Sequence, residues 1–184
     1  RTTSTKVADI LAQMPSKNTQ HSNILMESVL SLKKEGILKF CDMLVPLGSG
    51  DDSQVRYTLQ TLSMYVGKAN NITNKNTVED ALLTAIKKTN SKEVKTFLIE
   101  RLQYCASNAS ISHLNSYLYG SNFYKPALAV LTNIRTKEAA QAILTALKES
   151  KNQKQAAYIA ALGELKYSAA VSEIERLSNS KSTE

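Results

Sequence analysis

The sequence has little of what β-rich, disulfide-stabilised and membrane-spanning proteins need. Its 184 residues include no tryptophan, six glycines and three prolines, which disfavours a turn-rich all-β fold. No stretch approaches the roughly 18 consecutive apolar residues of a transmembrane helix, so we expect no membrane insertion. Cys41 and Cys105 match no zinc or redox spacing. Each lies among apolar neighbours, which favours a buried thiol, although a disulfide between them stays open.

Residues with catalytic chemistry are equally scarce. The two histidines, His21 and His113, stand alone, and no HExxH, GxSxG or glycine-rich phosphate loop occurs. The acid pairs at 51–52 and 79–80 lie at predicted helix starts, where carboxylates stabilise the helix dipole. We therefore predict a protein that is not an enzyme, with no catalytic residue, no cofactor and no metal.

The chain does have apolar content and positive charge. Apolar residues make up 42% of the sequence and charged residues 21%, which is typical of a globular protein. A net charge of +7 would attract nucleic acid or acidic proteins, but it also promotes solubility, and we favour solvation as its main role.

Helical periodicity runs through the whole chain. Apolar residues recur at helical spacing between short polar breaks, and Pro15 ends the first such segment. Ser91 and Thr136 are suited to cap helix starts, and Asp51 stands three residues before Gln54, a capping-box spacing. The pattern predicts about eleven helices, over 7–14, 18–35, 37–45, 53–66, 78–88, 92–106, 111–119, 123–135, 137–149, 153–165 and 169–177.

The helices after the first repeat as pairs. The segments VRYTLQTLSMYV, VKTFLIERLQYCA, YKPALAVLTNIR and KQAAYIAALGEL align with Arg56, Lys95, Lys125 and Gln155 near one position, and the last three recur every 30 residues. Neither helix of such a pair buries its apolar stripe alone, whereas stacked pairs form a continuous core. The pattern predicts an all-α fold, an α-solenoid of about five helix pairs plus a leading helix.

These repeats resemble short HEAT repeats, the kind first noted in phycobilin lyases. The run from DDSQVRYTLQTL to TKEAAQAILTALK more narrowly resembles the HEAT module of exported bacterial proteins, some of which carry a domain related to 3-keto-disaccharide hydrolases. The resemblance implies a right-handed α-α superhelix over a single domain, 1–184, taken from a longer, exported or periplasmic polypeptide. It also implies a scaffold that binds a protein or glycan-bearing partner, or another domain of the same polypeptide; the residues themselves do not exclude a cytoplasmic location.

HEAT repeats often place an aspartate in a turn and a basic residue soon after it, and these residues form a polar ladder across repeats. Asp52 and Arg56 match that form. Lys125 and Gln155 follow asparagines instead, so the predicted ladder is degraded in the later repeats. Arg56 is therefore interpreted as structural.

The polar face of each second helix is the concave face in HEAT proteins. Its mixed charges suit protein recognition better than a phosphate backbone. The tyrosines at 117, 119 and 124 either form a small aromatic anchor there or belong partly to the core. The predicted partner-binding face comprises Lys39, Asp42, Glu79, Thr84, Ser112, Asn115, Ser116, Tyr119, Glu138, Gln141 and Thr145.

Lysines cluster at turns between pairs, and equivalent turns of a solenoid lie along one edge. We favour a solvated rim, and nucleic-acid or other polyanion binding along this edge is the alternative. The lysines concerned are Lys87, Lys88, Lys92, Lys95, Lys125, Lys148, Lys151 and Lys154.

Overall fold

A computed structural model of the chain describes residues 2–151 and 153–181. Throughout these residues the regular structure is helical, with eleven α-helices, two short 3-10 turns and no strand. The predicted all-α fold is confirmed. In chain order the helices are α1 (Thr3–Leu11), α2 (Thr19–Ser31), α3 (Lys33–Asp42), α4 (Ser53–Lys68), α5 (Ile72–Lys88), α6 (Lys92–Leu102), α7 (Ile111–Tyr119), α8 (Tyr124–Ile134), α9 (Lys137–Glu149), α10 (Gln153–Glu164) and α11 (Val171–Lys181).

Helix ends differ from the predicted ones where a polar cap outweighs the apolar pattern. α1 begins four residues before its predicted start, because the Thr2 hydroxyl accepts a hydrogen bond from the Thr5 N–H. α5 begins six residues early, because Asn71 accepts a hydrogen bond from the Asn74 N–H. Polar first turns of this kind carry no apolar periodicity, so the pattern alone could not detect them.

The predicted caps give mixed results. Ser91 accepts a hydrogen bond from the Val94 N–H, and Thr136 accepts one from the Ala139 N–H, as predicted. The capping box at Asp51 is wrong, because Asp52 occupies the N-cap position of α4 and makes no side-chain cap bond. Asp51 instead accepts from the N–H of Ser53, at 3.0 Å.

The chain divides into two compact units, Arg1–Ser107 and Asn108–Glu184. In unit 1, α2 packs against α3 and α4, and α4 packs against both α5 and α6, while α3 packs against α5. Alternate helices therefore contact each other within this unit. Its core is apolar, and each fully buried side chain of this kind contributes about 1.5–3 kcal/mol. The largest include Met26, Ile37, Phe40, Leu59, Leu62, Leu82, Leu98, Ile99 and Leu102.

Unit 2 repeats this contact pattern with fewer helices. α7 packs against α8 and α9, and α8 packs against α9 and α10. Its core contains Leu114, Leu118, Ile143 and Leu147, together with the fully buried ring of Tyr158. None of the helices in the described parts of the chain combines the length and apolar composition needed to span a bilayer.

Candidate functional site

Arg56 lies at a junction of three chain segments in unit 1. Its guanidinium donates to Asp52 at 2.8 Å, to the Val45 carbonyl at 2.9 Å and to Glu93 at 3.3 Å. The two carboxylates also hold the loop before α4, since Asp52 accepts from the Val45 N–H and Glu93 accepts from the Leu47 N–H. The predicted Asp52–Arg56 pair is therefore formed, and it joins α4, the preceding loop and α6.

The aromatic ring of Phe97 extends this contact along α4 and α6 by packing against two arginine side chains. The Phe97 ring lies 4.8 Å from the Arg56 guanidinium and 4.7 Å from that of Arg101. Arg101 is buried and donates to Gln60. Arg56 and Gln60 are four residues apart on α4, as are Phe97 and Arg101 on α6, so two facing helical stripes meet. Because its Nε and Nη2 groups are engaged inside the fold, these contacts favour a structural role for Arg56.

A groove between α7 and α9 collects much of the predicted partner-binding face. Its volume is about 410 Å³. Five residues of that predicted face line it together: Ser112, Asn115, Glu138, Gln141 and Thr145. The lining residues are Asn108, Ile111, Ser112, Asn115, Glu138, Gln141, Ala142 and Thr145.

Helical spacing explains why these side chains share one surface. On α9, positions 138, 141 and 145 follow i, i+3, i+7 spacing, while Ile143 and Leu147 on the other face are buried. Gln141 accepts a hydrogen bond from the Tyr167 hydroxyl at 2.9 Å, and Thr145 donates to the Gln141 carbonyl. Two polar side chains of the groove are thus held by hydrogen bonds within unit 2, while Ile111 and Ala142 add apolar surface.

The groove offers several side chains that can form hydrogen bonds. Hydroxyl and amide groups offer both donors and acceptors, and Glu138 is the acid among the residues that line it.

The remaining predicted face residues are distributed over several places. Lys39 and Asp42 line a groove of about 380 Å³ between α1 and α3. Asp42 also pairs with Lys88 at 2.7 Å. Thr84 donates to the Asp80 carbonyl of its own helix. Ser116 and Tyr119 are exposed on α7 outside the lining of the α7–α9 groove.

Glu79 was assigned to the exposed face, and that assignment is wrong. Its side chain is buried, and its carboxylate accepts a hydrogen bond from the Ser107 N–H at 2.7 Å. The Ser107 hydroxyl donates to the same carboxylate. Charge-assisted bonds of this kind compensate the cost of burying the carboxylate, so Glu79 fixes the segment after α6 onto α5.

Two of the three candidate anchor tyrosines pack against other aromatic rings inside unit 2. Tyr117 meets Phe123 edge to face at 5.2 Å, and Tyr124 meets Tyr158 at 6.4 Å. Both are half-buried, whereas 41% of Tyr119 is exposed. Tyr119 is therefore the member of this set best placed to contact a partner.

The predicted lysines fall into both units and differ in their contacts. Lys88 is paired with Asp42. Lys154 donates to the carbonyls of Tyr119 and Gly120 at the end of α7, at 3.1 and 2.8 Å. Lys95 is half-buried. The others are exposed: Lys87, Lys92, Lys125, Lys148 and Lys151.

The cysteines are buried free thiols, as the sequence indicated. Burial raises the pKa of both Cys41 and Cys105 to about 12, and the neighbouring carboxylates Asp42 and Glu79 add to the effect. The thiols therefore stay protonated and unreactive at neutral pH. Within residues 2–151 and 153–181, no group of three or more His, Cys, Asp or Glu side chains is arranged to hold a metal ion.

Sequence reasoning missed a second polar groove, between α2 and α4 in unit 1. Its volume is about 450 Å³, and Tyr57, Thr61 and Tyr65 of α4 line it. Their i, i+4, i+8 spacing was a readable signal, because it marks a face of α4 distinct from the buried stripe that contains Leu59 and Leu62.

Comparisons with models of protein families, with curated proteins and with solved structures gave no match for this chain.

Proposed function

We propose that the chain is a non-catalytic helical-repeat scaffold that binds a protein partner through the polar face of its second helices. The α7–α9 groove is the centre of this surface in unit 2. The observation that carries the proposal is the convergence of Ser112, Glu138, Gln141 and Thr145 on one open groove. These residues were selected from the sequence for their place on second helices.

The packing within each unit supports a HEAT-like solenoid as the architecture of the scaffold. First helices contact first helices, as in α2 with α4, and second helices contact second helices, as in α3 with α5 and α7 with α9. Stacked helix pairs produce this pattern of contacts, and they leave one polar face of each second helix available to a partner.

Site-specific photocrosslinking tests the proposed surface. A photoreactive amino acid at Ser112 or Gln141 should crosslink to a discrete protein in an extract of the source cells. The same group at Asn133, an exposed position on α8, serves as the matched control. A Gln141→Arg, Thr145→Arg variant should lose the partner, because the larger cations fill a groove of only about 410 Å³.

Two outcomes would contradict this proposal. One is a crosslinking pattern identical for the groove and control positions. The other is a partner that the Gln141→Arg, Thr145→Arg variant retains at unchanged affinity while its far-ultraviolet circular dichroism is that of the native protein.

Polyanion binding along the lysine-rich edge is the competing function. Titration of duplex DNA at several salt concentrations distinguishes the two, since each neutralised phosphate releases a counterion and steepens the salt dependence. We expect binding no tighter than the roughly 10⁻⁴ to 10⁻⁶ M of non-specific contact. Sub-micromolar binding that a Lys88→Glu, Lys92→Glu, Lys151→Glu, Lys154→Glu variant abolishes would favour nucleic acid instead.

A further inference from the structure

Two tyrosines of α4 line the groove between α2 and α4. Tyr57 and Tyr65 lie eight residues apart on α4, so their backbone positions are about 12 Å apart along the helix. The Tyr57 hydroxyl is 3.1 Å from the Ser16 hydroxyl, and the Tyr65 hydroxyl donates to Glu27. Each ring is therefore held by a hydrogen bond from α4 to another segment of unit 1.

The surface between these rings combines neutral polar groups with the side chain of Met64, and it is almost uncharged. Asn18, Ser22 and Asn23 contribute from the start of α2, and Thr61 contributes from α4. Hydroxyl and carboxamide groups act as both donors and acceptors. Lys68 is the ionised group among the lining residues, and it lies at the last residue of α4, one end of the groove.

This combination matches the chemistry of sugars. A pyranose ring has apolar C–H faces that stack on a tyrosine ring, and its edge carries hydroxyls that both donate and accept hydrogen bonds. Neutral amide and hydroxyl side chains complement such an edge without the desolvation cost of burying a charge. Two fixed rings two helical turns apart suit a short linear chain of sugars.

We propose that the α2–α4 groove binds a neutral linear oligosaccharide, with Tyr57 and Tyr65 as the stacking platforms. Asn18, Ser22 and Thr61 contact the sugar hydroxyls between them. This site lies in unit 1 and does not depend on the α7–α9 groove proposed for a protein partner. The fixed rings reduce the conformational entropy lost on binding.

Nuclear magnetic resonance titration of the full chain tests this site. Cellotetraose, xylotetraose, maltotetraose and chitotetraose are added separately to isotope-labelled protein. We expect at least one to shift the backbone amides of Ser22, Thr61 and Tyr65 with a Kd of about 1 mM or tighter, a reasonable affinity for an open groove.

Substitutions test whether the rings of Tyr57 and Tyr65 make the contact with the sugar. Tyr57→Ala and Tyr65→Ala should each weaken binding at least about tenfold, equivalent to a loss of about 1.4 kcal/mol. Tyr57→Phe and Tyr65→Phe keep the stacking surface and should lose less, which keeps the test valid if an alanine variant unfolds. Tyr119→Ala removes a comparably exposed tyrosine from unit 2 and should leave binding unchanged.

The proposal is wrong if none of the four sugars shifts the groove amides at about 10 mM, well above a Kd of about 1 mM. It is also wrong if the shifts map to α7 and α9, or if folded Tyr57→Ala and Tyr65→Ala variants bind as tightly as the native chain. Binding of a Ser- and Asn-rich peptide without binding of any sugar would likewise overturn it.

Discussion

The two units hold successive first helices together with different chemistry. In unit 1, α4 is linked to α6 by charged groups, with Arg56 between Asp52 and Glu93 and against the Phe97 ring. In unit 2, the ring of Tyr158 on α10 meets Tyr124 of α8 edge to face, and its hydroxyl donates to the Leu118 carbonyl. One contact is ionic and half-exposed, whereas the other is neutral and buried.

This difference separates the packing pattern from the interactions that maintain it. Alternate helices contact each other in both units, yet the polar groups at these contacts do not match. A neutral hydroxyl is insensitive to salt, and burial raises the pKa of Tyr158 to about 12, so it remains a donor at neutral pH. The ionic link of unit 1 depends on the charge of Asp52 and Glu93.

The largest expected loss of stability comes from adding an atom in the close contact between α4 and the end of α6. A Cβ at Gly67 would lie 2.4 Å from the Tyr104 carbonyl oxygen, and a backbone atom has little freedom to move away. Gly67→Ala should therefore destabilise unit 1 by about 2–3 kcal/mol. Amide hydrogen exchange resolved by residue measures this in each unit separately.

Gly163 in α10 is the matched control for that substitution. A Cβ at Gly163 has no neighbouring atom within 4 Å. Gly163→Ala should stabilise α10 by about 0.5–1 kcal/mol, because alanine has the higher helix propensity. Equal effects of the two substitutions would contradict the close approach of α4 to the segment after α6.

Removing the ionic link should have the next largest effect. Arg56→Met leaves Asp52 partly buried without its cation and frees the Val45 carbonyl, which should destabilise unit 1 by about 2 kcal/mol. Hydrogen exchange should increase first in the 45–52 loop and the N-terminal turns of α4 and α6.

An exposed ion pair in unit 2 provides the comparison. Arg135 and Glu164 are both more than half exposed, so Arg135→Met should cost less than about 0.5 kcal/mol. If the two methionine variants lost the same stability, the burial of the Asp52 and Arg56 pair would have no energetic consequence.

Removing only the hydroxyl of Tyr158 should have a smaller effect. Tyr158→Phe retains the buried ring and its edge contact with Tyr124, but it leaves the Leu118 carbonyl without that donor. Unit 2 should lose about 1 kcal/mol. Thermal unfolding and hydrogen exchange check the value, and a loss confined to unit 1 would show that the contact is unimportant.

Acidification should produce the smallest difference in stability between the two units. Burial raises the pKa of Asp52, but hydrogen bonds from Arg56 and the Val45 N–H outweigh burial and leave it below its usual value. A depressed pKa contributes stability that is present above the unfolded value of about 3.9 and is lost as pH falls through the folded value.

The protection of the α4 and α6 amides from hydrogen exchange should therefore decline only below about pH 4. Asp52→Asn should remove that part of the decline, while the Tyr158 contact between α8 and α10 should not respond to acid in this range. Unchanged acid sensitivity in the asparagine variant would assign the effect to another carboxylate.

The helices themselves were largely readable from the sequence. All eleven predicted segments contain a helix, because strong apolar periodicity and scarce glycine and proline leave few alternatives. Ser91 and Thr136 were identified as caps because that interaction is local in sequence. Cys41 and Cys105 were assigned to the interior from their neighbours alone.

The candidate sites were only partly readable. Helical spacing correctly placed Ser112, Gln141 and Thr145 on one surface, but it also placed Glu79 there. Glu79 is buried because the N–H and hydroxyl of Ser107, 28 residues away, satisfy its carboxylate. Local spacing contains no information about such a distant partner.

The sequence by itself determined the helical content and the apolar stripes, since each depends on residues within a few turns of one another. Only the tertiary structure decided which polar groups are hydrogen-bonded inside the fold and which remain available on a surface. Arg56 is engaged by Val45 and Glu93, and Lys154 by the end of α7, whereas the face of α4 bearing Tyr57 and Tyr65 stays open. The physical reason is that a polar side chain is satisfied by whatever donor or acceptor the folded chain brings within about 3 Å, regardless of separation in sequence.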